Sequence, residues 1–167
     1  MFGSVFGSFD GLPIHALVVH AAVAIVPLAG LLGVAFVRPA WRMALRWPLA
    51  GVAALATLTV FVTRQSGKVL KEALGDQLTG KDNPTGKMVD HHQALADRLW
   101  VWLLVFLAVT VVVALILPRL NNPLAGGVAA IVVAALAVVI IVMVVQVGDA
   151  GSRARWNPDG SFDYSGG

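Results

Sequence analysis

The sequence predicts an all-α integral membrane protein built as a bundle of four transmembrane helices. The 167-residue chain is 58% hydrophobic and only 13% charged, and its mean hydropathy is +0.83. A soluble domain of this size would need far more polar surface. Four apolar runs rich in Ala, Val and Leu follow one another, and about 20 such residues form a helix that crosses a bilayer. Short segments with Pro, Asn or Arg separate the runs, as expected of a bundle with tight connections.

The apolar runs and their boundaries define the predicted elements. Helices are predicted over 13–37, 48–74, 91–117 and 123–148. Pro13 suits the first position of a helix, and Pro27 falls in the middle of the first run. Residues 75–89 form the one substantial loop, which together with the polar end of helix 2 makes an extended outer connection between helices 2 and 3. Residues 1–156 are therefore predicted to be a single domain, and 157–167 a polar, flexible tail.

Arginine placement predicts the orientation in the membrane. Arg38, Arg42 and Arg46 lie in the segment between helices 1 and 2, and Arg119 lies in the turn between helices 3 and 4. The first ten residues carry no positive charge. Because short cytoplasmic loops are enriched in Lys and Arg, both termini are predicted to be extracytoplasmic. The four tryptophans nearest the helix ends are typical of anchors at the membrane surface; they are Trp41, Trp47, Trp100 and Trp102.

Composition also excludes several classes of protein. The absence of cysteine excludes disulfides, iron–sulfur ligation and covalent c-type haem. The net charge of +3 is modest, and no basic stripe is interleaved with aromatic residues, so nucleic-acid binding has no support. No set of nucleophile, base and orienting residue is visible. The chain is therefore not expected to be an enzyme on its own, and no catalytic residue is predicted.

Polar side chains within the apolar runs fall at one level. Counting at about 1.5 Å per residue from the inner ends of the helices places them all near the outer boundary of the bilayer. The histidines at this level are His15, His20, His91 and His92. The other polar residues at this level are Arg64, Gln65, Asp97, Arg98, Gln146, Asp149 and Arg153. The outer mouth of the bundle is therefore the predicted functional site.

The histidine spacing suggests how imidazoles meet at this site. His15 and His20 are five residues apart and point about 140° away from each other on a helix. His91 and His92 diverge by about 100°. The simplest arrangement takes either His15 or His20 from helix 1 and His92 from helix 3. Two opposed imidazoles beside an apolar cleft suit axial ligation of a b-type haem, which predicts membrane electron transfer.

Other interpretations of the same residues stay open. A mononuclear zinc or copper site needs three or four ligands, to which His15, His20, His92 and Asp149 could contribute. Without a metal, the polar groups could form a proton relay or a quinone-binding pocket. Pairing of Arg64 with Asp149, or of Arg98 with Asp97, would be structural.

A different class of function needs no cofactor at all. In it the chain is an accessory or structural subunit that packs against a larger membrane complex, or it forms a homo-oligomer. Small residues four apart let helices approach closely in lipid. Such pairs are Ala29 with Gly33, Ala50 with Ala54 and Ala130 with Ala134. The lipid bilayer is the expected partner in every interpretation.

Three short motifs resemble a known family. They are Leu12-Pro13-x-His15-x-x-Val18-x-His20, His92-x-x-x-Ala96-Asp97, and Gly148-x-x-Gly151 followed by Arg153 and Trp156. They are similar to the bacterial membrane family called domain of unknown function 2231, and the resemblance extends from the first helix to Trp156. It implies a four-helix multi-pass protein of the bacterial plasma membrane, without an established activity.

The chain departs from the family pattern at two positions. Members often carry proline after the first histidine, where this chain has Ala16. Many also carry a histidine after the glycine that ends helix 4, where this chain has Asp149. If that position binds a ligand in the family, Asp149 favours a hard metal or a charge pair over haem.

Overall fold

The computed structural model describes residues 6–78, 83–119 and 122–163. A two-stranded antiparallel hairpin precedes the first helix, with β1 at Ser8–Phe9 and β2 at Leu12–Pro13. The helices are α1 Ile14–Ala35, α2 Pro39–Ala73, α3 Gly75–Leu78, α4 Pro84–Ile116 and α5 Pro123–Trp156, with a 3₁₀ turn at Leu117–Arg119. Within the described residues, α1, α2, α4 and α5 are long and apolar enough to cross a membrane. The predicted four-helix membrane fold is confirmed.

The four long helices form a square bundle. Going round it, the packed neighbours are α1 with α2, α2 with α4, α4 with α5, and α5 with α1. Consequently α1 and α4 lie on one diagonal, and α2 and α5 lie on the other. The core along the axis is apolar and includes Val26, Leu103, Phe106 and Ile140. The outward faces are also apolar, as a lipid-facing surface requires, and the protein contacts the bilayer there.

The helix α2 begins earlier than the sequence predicted. It starts at Pro39 instead of residue 48, so the predicted basic loop forms its first turns. Pro39 lacks an N–H that the first turn does not use, whereas Pro48 inside the helix forgoes one backbone hydrogen bond. The Arg42 guanidinium donates to the Phe36 and Val37 carbonyls at 3.3 and 2.8 Å. These bonds satisfy the end of α1 and allow a three-residue connection.

Two other helices are also longer than predicted. The helix α4 begins at Pro84 instead of residue 91, because the Asn83 side chain accepts a hydrogen bond from the Gly86 N–H at 3.1 Å and caps it. The helix α5 continues past residue 148 to Trp156, so Gly148 lies inside the helix and does not end it. Much of the predicted 75–89 loop is therefore helical, and residues 79–82 lie outside the described residues.

The C-terminal segment turns back after α5. Asn157 closes the turn by donating to the Phe162 carbonyl at 2.8 Å and accepting from the Phe162 N–H at 3.1 Å. Hydrogen bonds from Ser161 lower the pKa of the exposed Asp159 carboxyl. The segment that the sequence predicts to be a flexible tail thus has a defined turn up to residue 163, and residues 164–167 lie outside the described residues.

The bundle contains an internal repeat, α1–α2 followed by α4–α5. A shift of 77 positions relates His15 to His92, and a shift of 84 positions relates Gly67 to Gly151. The first shift matches buried positions of α1 to buried positions of α4: Ala22 to Leu99, Val26 to Leu103, Ala29 to Phe106, Gly33 to Thr110, and Phe36 to Val113. The second shift does the same for α2 and α5: Leu49 to Val133, Ala53 to Ala137, Ala56 to Ile140, Val60 to Val144, and Ser66 to Ala150. Exchanging the two hairpins also preserves the neighbours round the bundle, so they are related by an approximate twofold axis along it.

Close packing of α1 on α5 generates a stability prediction. A Cβ added at Gly33 would lie 2.7 Å from the Ala137 Cβ and 3.1 Å from the Phe106 ring. The change Gly33→Ala should therefore lower the free energy of unfolding by about 1–3 kcal/mol. Gly51→Ala is the matched control, because a Cβ there meets nothing within 4 Å. Denaturant titration in mixed micelles measures both variants, and equal loss of stability would contradict the packing.

The orientation predicted from the arginines can be tested by labelling. We expect a cysteine placed by Ser161→Cys, beyond α5, to react with a membrane-impermeant maleimide in intact cells. A cysteine placed by Ala40→Cys, at the start of α2, should react only after permeabilisation, because it lies on the arginine-rich side. The opposite pattern would reverse the orientation. The cysteine-free chain provides a background without labelling.

Candidate functional site

Two histidines from diagonal helices meet at one end of the bundle, which we call the histidine end. The ring centroids of His15 in α1 and His92 in α4 lie 6.3 Å apart, and the ring planes are nearly perpendicular at 86°. The two residues are equivalent in the internal repeat. The pair therefore lies where the approximate twofold axis passes through the bundle.

Each of these rings forms a hydrogen bond to the backbone of a neighbouring helix. The distance from His15 Nδ1 to the Thr63 carbonyl oxygen is 3.0 Å, and that from His92 Nδ1 to the Val147 carbonyl oxygen is 2.9 Å. Because a carbonyl only accepts, Nδ1 carries the proton, and the neutral ring keeps its lone pair on Nε2. Metal-binding histidines are oriented by this same kind of bond from the nitrogen that does not bind the metal.

Two glycines lie against the imidazoles. A Cβ added at Gly67 in α2 would lie 3.1 Å from the Cε1 and Nδ1 atoms of His15. A Cβ added at Gly151 in α5 would lie at the same distance from the corresponding atoms of His92. An alanine at either position would require the ring to move by a few tenths of an ångström. The sequence analysis missed Gly67 and treated Gly151 as part of a helix end; the 84-residue spacing between the two glycines is the signal that relates them.

The distance between the ring centroids, 6.3 Å, equals the spacing that two imidazoles would need in order to share one metal ion. A metal–imidazole bond of about 2.0 Å places the ring centres roughly 6 Å apart when the two nitrogens face each other across the metal. In residues 6–78, 83–119 and 122–163, no three His, Asp or Glu side chains come together as a metal cluster. The described part of the chain thus offers two protein ligands at this point.

The structure places His20 apart from this pair. Its side chain is exposed, and its Nδ1 lies 2.8 Å from the carbonyl oxygen of Ala16 in its own helix. The divergence of about 140° that separates positions five apart accounts for this. Sequence reasoning left His15 and His20 as alternatives, and the geometry pairs His15 with His92.

Four other predicted residues lie together on the outside of α4 and α5. A cleft of about 400 Å³ is lined by His91, Gln146, Asp149 and Arg153, with Met88, Leu95 and Ala150. Asp149 accepts a hydrogen bond from Arg153 Nε at 2.8 Å, an exposed pair one turn apart. Asp149 therefore has a partner on its own helix and belongs to no three-ligand cluster among the described residues.

An ion pair joins α2 to α4 at the histidine end. Arg64 Nε donates to Asp97 Oδ1 at 2.7 Å, and the Arg64 side chain is only 13% exposed. The guanidinium carbon lies 4.5 Å from the ring centroid of Trp100, which packs on Phe61 at 6.0 Å. The expected pairing of Arg64 with Asp149, or of Arg98 with Asp97, is wrong, because α2 packs beside α4 and lies diagonally across from α5. Arg98 is exposed, and Gln65 is partly buried.

Fold and site together define the class of this chain. Within the described residues it is a small multi-pass membrane protein whose four spanning helices bring two histidines together at one end. The model of the family described as predicted membrane protein, DUF2231, matches residues 11–160. That range includes every long helix and both histidines, and the chain belongs to this family. No curated protein and no solved structure matches it.

The Arg64–Asp97 pair generates a prediction about stability. The change Arg64→Ala removes the ion pair with the half-exposed Asp97 and the contact of the guanidinium with Trp100, and we expect unfolding to become easier by about 1–2 kcal/mol. The matched control is Arg153→Ala, since an exposed pair one turn apart contributes little.

Thermal unfolding in detergent measures both variants. The double variant Arg64→Ala, Asp97→Ala should recover part of the loss, because neither charge is then unpaired. Purely additive losses would show that the two side chains do not act as a pair.

Proposed function

We propose that this protein holds a b-type haem between His15 and His92 and passes electrons at the membrane. The observation that carries the proposal is the meeting of two imidazoles that each donate Nδ1–H to a backbone carbonyl and keep the Nε2 lone pair. Among the described residues, no hydrogen bond involves either Nε2 atom. Two such nitrogens from diagonal helices are the ligand set that six-coordinate haem iron uses in helix bundles.

The surroundings of the two histidines support this proposal. The helices α2 and α5, on the other diagonal, present glycines beside the rings at Gly67 and Gly151. The glycines therefore let α2 and α5 approach the imidazoles closely and help to hold the rings in place. Seven positions further into the bundle, about 10 Å along the helices, each helix contributes a buried apolar residue. These residues are Ala22, Val60, Leu99 and Val144.

This apolar layer lies on the inner side of the histidine pair, where it would keep water away from a bound cofactor. A bound haem supplies one-electron chemistry, and a dry surrounding limits the reorganisation that accompanies each electron. The protein's own part is to hold both rings by the Thr63 and Val147 carbonyls and to exclude water. The predicted orientation of the chain places this site at the extracytoplasmic surface.

The alternatives have less support. A mononuclear zinc site needs three or four ligands, and the described residues bring two together. A copper ion held by the two histidines remains a possible outcome of the test below. An accessory subunit without a cofactor would gain nothing from two oriented lone pairs. The apolar outer faces need only lipid to cover them.

Absorption spectroscopy tests the proposal. The detergent-purified protein should show a Soret band, with sharp α and β bands after reduction by dithionite. His15→Ala and His92→Ala should each abolish the low-spin spectrum, because each removes one of the two imidazoles that would hold the haem. His20→Ala is the matched control on the same helix, and it should leave the spectrum unchanged.

Two results would contradict the haem assignment. The first is an unchanged spectrum in both ligand variants. The second is a spectrum without visible bands even after reconstitution with haem. In the second case, stoichiometric copper or zinc by metal analysis of the same sample would identify the pair as a site for a bare metal ion.

A further inference from the structure

The internal repeat makes it possible to compare two faces of the bundle position by position. The α2–α4 interface and the α5–α1 interface are equivalent under the approximate twofold axis. At the histidine end, shifts of 77 and 84 positions relate Asp97 to His20, Trp100 to Val23, Phe61 to Val145, and Arg64 to Gly148. These four pairs flank the His15–His92 pair on opposite sides.

The α2–α4 interface is closed at this level. The Arg64–Asp97 ion pair bridges the two helices, and the guanidinium stacks on the Trp100 ring. Phe61 lies beside the Trp100 ring, with the two ring centroids 6.0 Å apart. A large side chain or a bridging charge thus occupies every one of the four positions. Side chains thus bridge α2 and α4 beside the histidine pair.

The α5–α1 interface carries small or exposed residues at the same four positions. Val23 is 54% exposed and Val145 is 65% exposed. Gly148 is exposed, and a Cβ added there meets nothing within 4 Å. His20 is exposed as well. The twofold axis is broken here, because the side chains that close one interface have no counterparts in the other.

The opening is limited to the histidine end. Further along the same interface the helices are tightly packed, since a Cβ added at Gly30 would lie 2.4 Å from Ile141 Cγ1 and 3.3 Å from the Ala137 carbonyl oxygen. We call this stretch of the α1–α5 interface, formed by His20, Val23, Val145 and Gly148, the notch. Its four residues are exposed on the outer surface, and the repeat places them level with the histidine pair.

His20 provides the one polar group of the notch with a free hydrogen-bonding function. Its Nδ1 donates to the Ala16 carbonyl, so Nε2 of the neutral ring is an acceptor. The occupant that suits the notch therefore carries a hydroxyl donor on a flat apolar body. An acyl chain of a phospholipid has no such donor.

We propose that the notch binds the ring of a membrane quinol, with one quinol hydroxyl donating to His20 Nε2. The exposed valines would contact the ring and the first part of the isoprenoid tail, and the absent side chain at Gly148 makes room for the ring. His20 lies five residues from His15, about 7.5 Å along the helix axis. The inference rests on the proposed function in one respect: a haem at His15 and His92 would take the two electrons of a bound quinol one at a time, and each electron would leave with one proton released from a quinol hydroxyl, one through His20 Nε2 and one to water at the membrane surface.

Titration with a fluorescent quinol analogue tests the notch directly. The probe is 2-heptyl-4-hydroxyquinoline N-oxide, whose fluorescence is quenched on binding, added to the full-length protein in phospholipid nanodiscs. We expect saturable quenching by the wild-type protein. Gly148→Leu fills the notch and should raise Kd by at least about tenfold. His20→Phe keeps a ring but removes the acceptor, and should raise Kd by about fivefold to tenfold.

Gly51→Leu is the matched control, because it adds the same side chain at another exposed, open glycine of a spanning helix. It should leave Kd within about twofold of the wild type. Quenching that does not saturate, or a Kd that Gly148→Leu or His20→Phe leaves unchanged, overturns the proposal. So does an equal loss of binding in Gly51→Leu, which would indicate a general effect on the bundle.

The same titration on haem-free and haem-loaded protein separates the two proposals. Saturable binding that depends on Gly148 in a protein without a Soret band supports the notch and contradicts only the proposed haem. A Soret band that depends on His92 in a protein without saturable binding supports the haem and overturns the notch.

Discussion

In the hydrocarbon core of a bilayer, a polar group is stable only when the protein itself supplies its hydrogen-bond partner. The bundle meets this requirement by pairing side chains with backbone carbonyls. The buried Thr57 hydroxyl donates to the Ala53 carbonyl one turn earlier, and Arg42 does the same for the end of α1. The His15 and His92 rings differ from these groups, because each bond satisfies Nδ1 and leaves Nε2 as an acceptor. The constraint that stabilises the helices therefore also orients the two imidazoles.

The repeat explains why those two rings meet. A pair of antiparallel helices with one histidine near its start presents a single imidazole, which is too little to hold a cofactor. Two such pairs round a twofold axis place their histidines on one diagonal and the glycines at 67 and 151 on the other. One motif in each half is therefore enough to build a symmetric ligand pair. The four buried residues of the apolar layer are also related by the repeat, so each half of the chain contributes two of them.

Hydropathy alone was enough to predict the four spanning helices, because lipid demands long apolar runs whatever the side-chain detail. Their ends were predicted less well, since Pro48 and Gly148 are helix breakers in water but lie inside α2 and α5 here. The level of the polar residues was also predictable from the helix rise. The partner of each residue was not, because this depends on which helices are neighbours, and that order decided between Asp97 and Asp149 for Arg64. The choice between His15 and His20 depended on it as well.

The departure from twofold symmetry makes the α2–α4 and α5–α1 interfaces chemically different. Two equivalent interfaces would leave a cofactor equally open on both sides, or equally closed. Here Arg64 and Trp100 bridge one interface by stacking and charge. In the equivalent interface, Gly148 has no side chain that could do so. Asp97 takes part in an ion pair between two helices. Its equivalent in the repeat, His20, instead bonds to a carbonyl of its own helix. A histidine without such a task, exposed at the same end of the bundle as the His15–His92 pair, is the position where we propose that a second molecule binds without disturbing the fold.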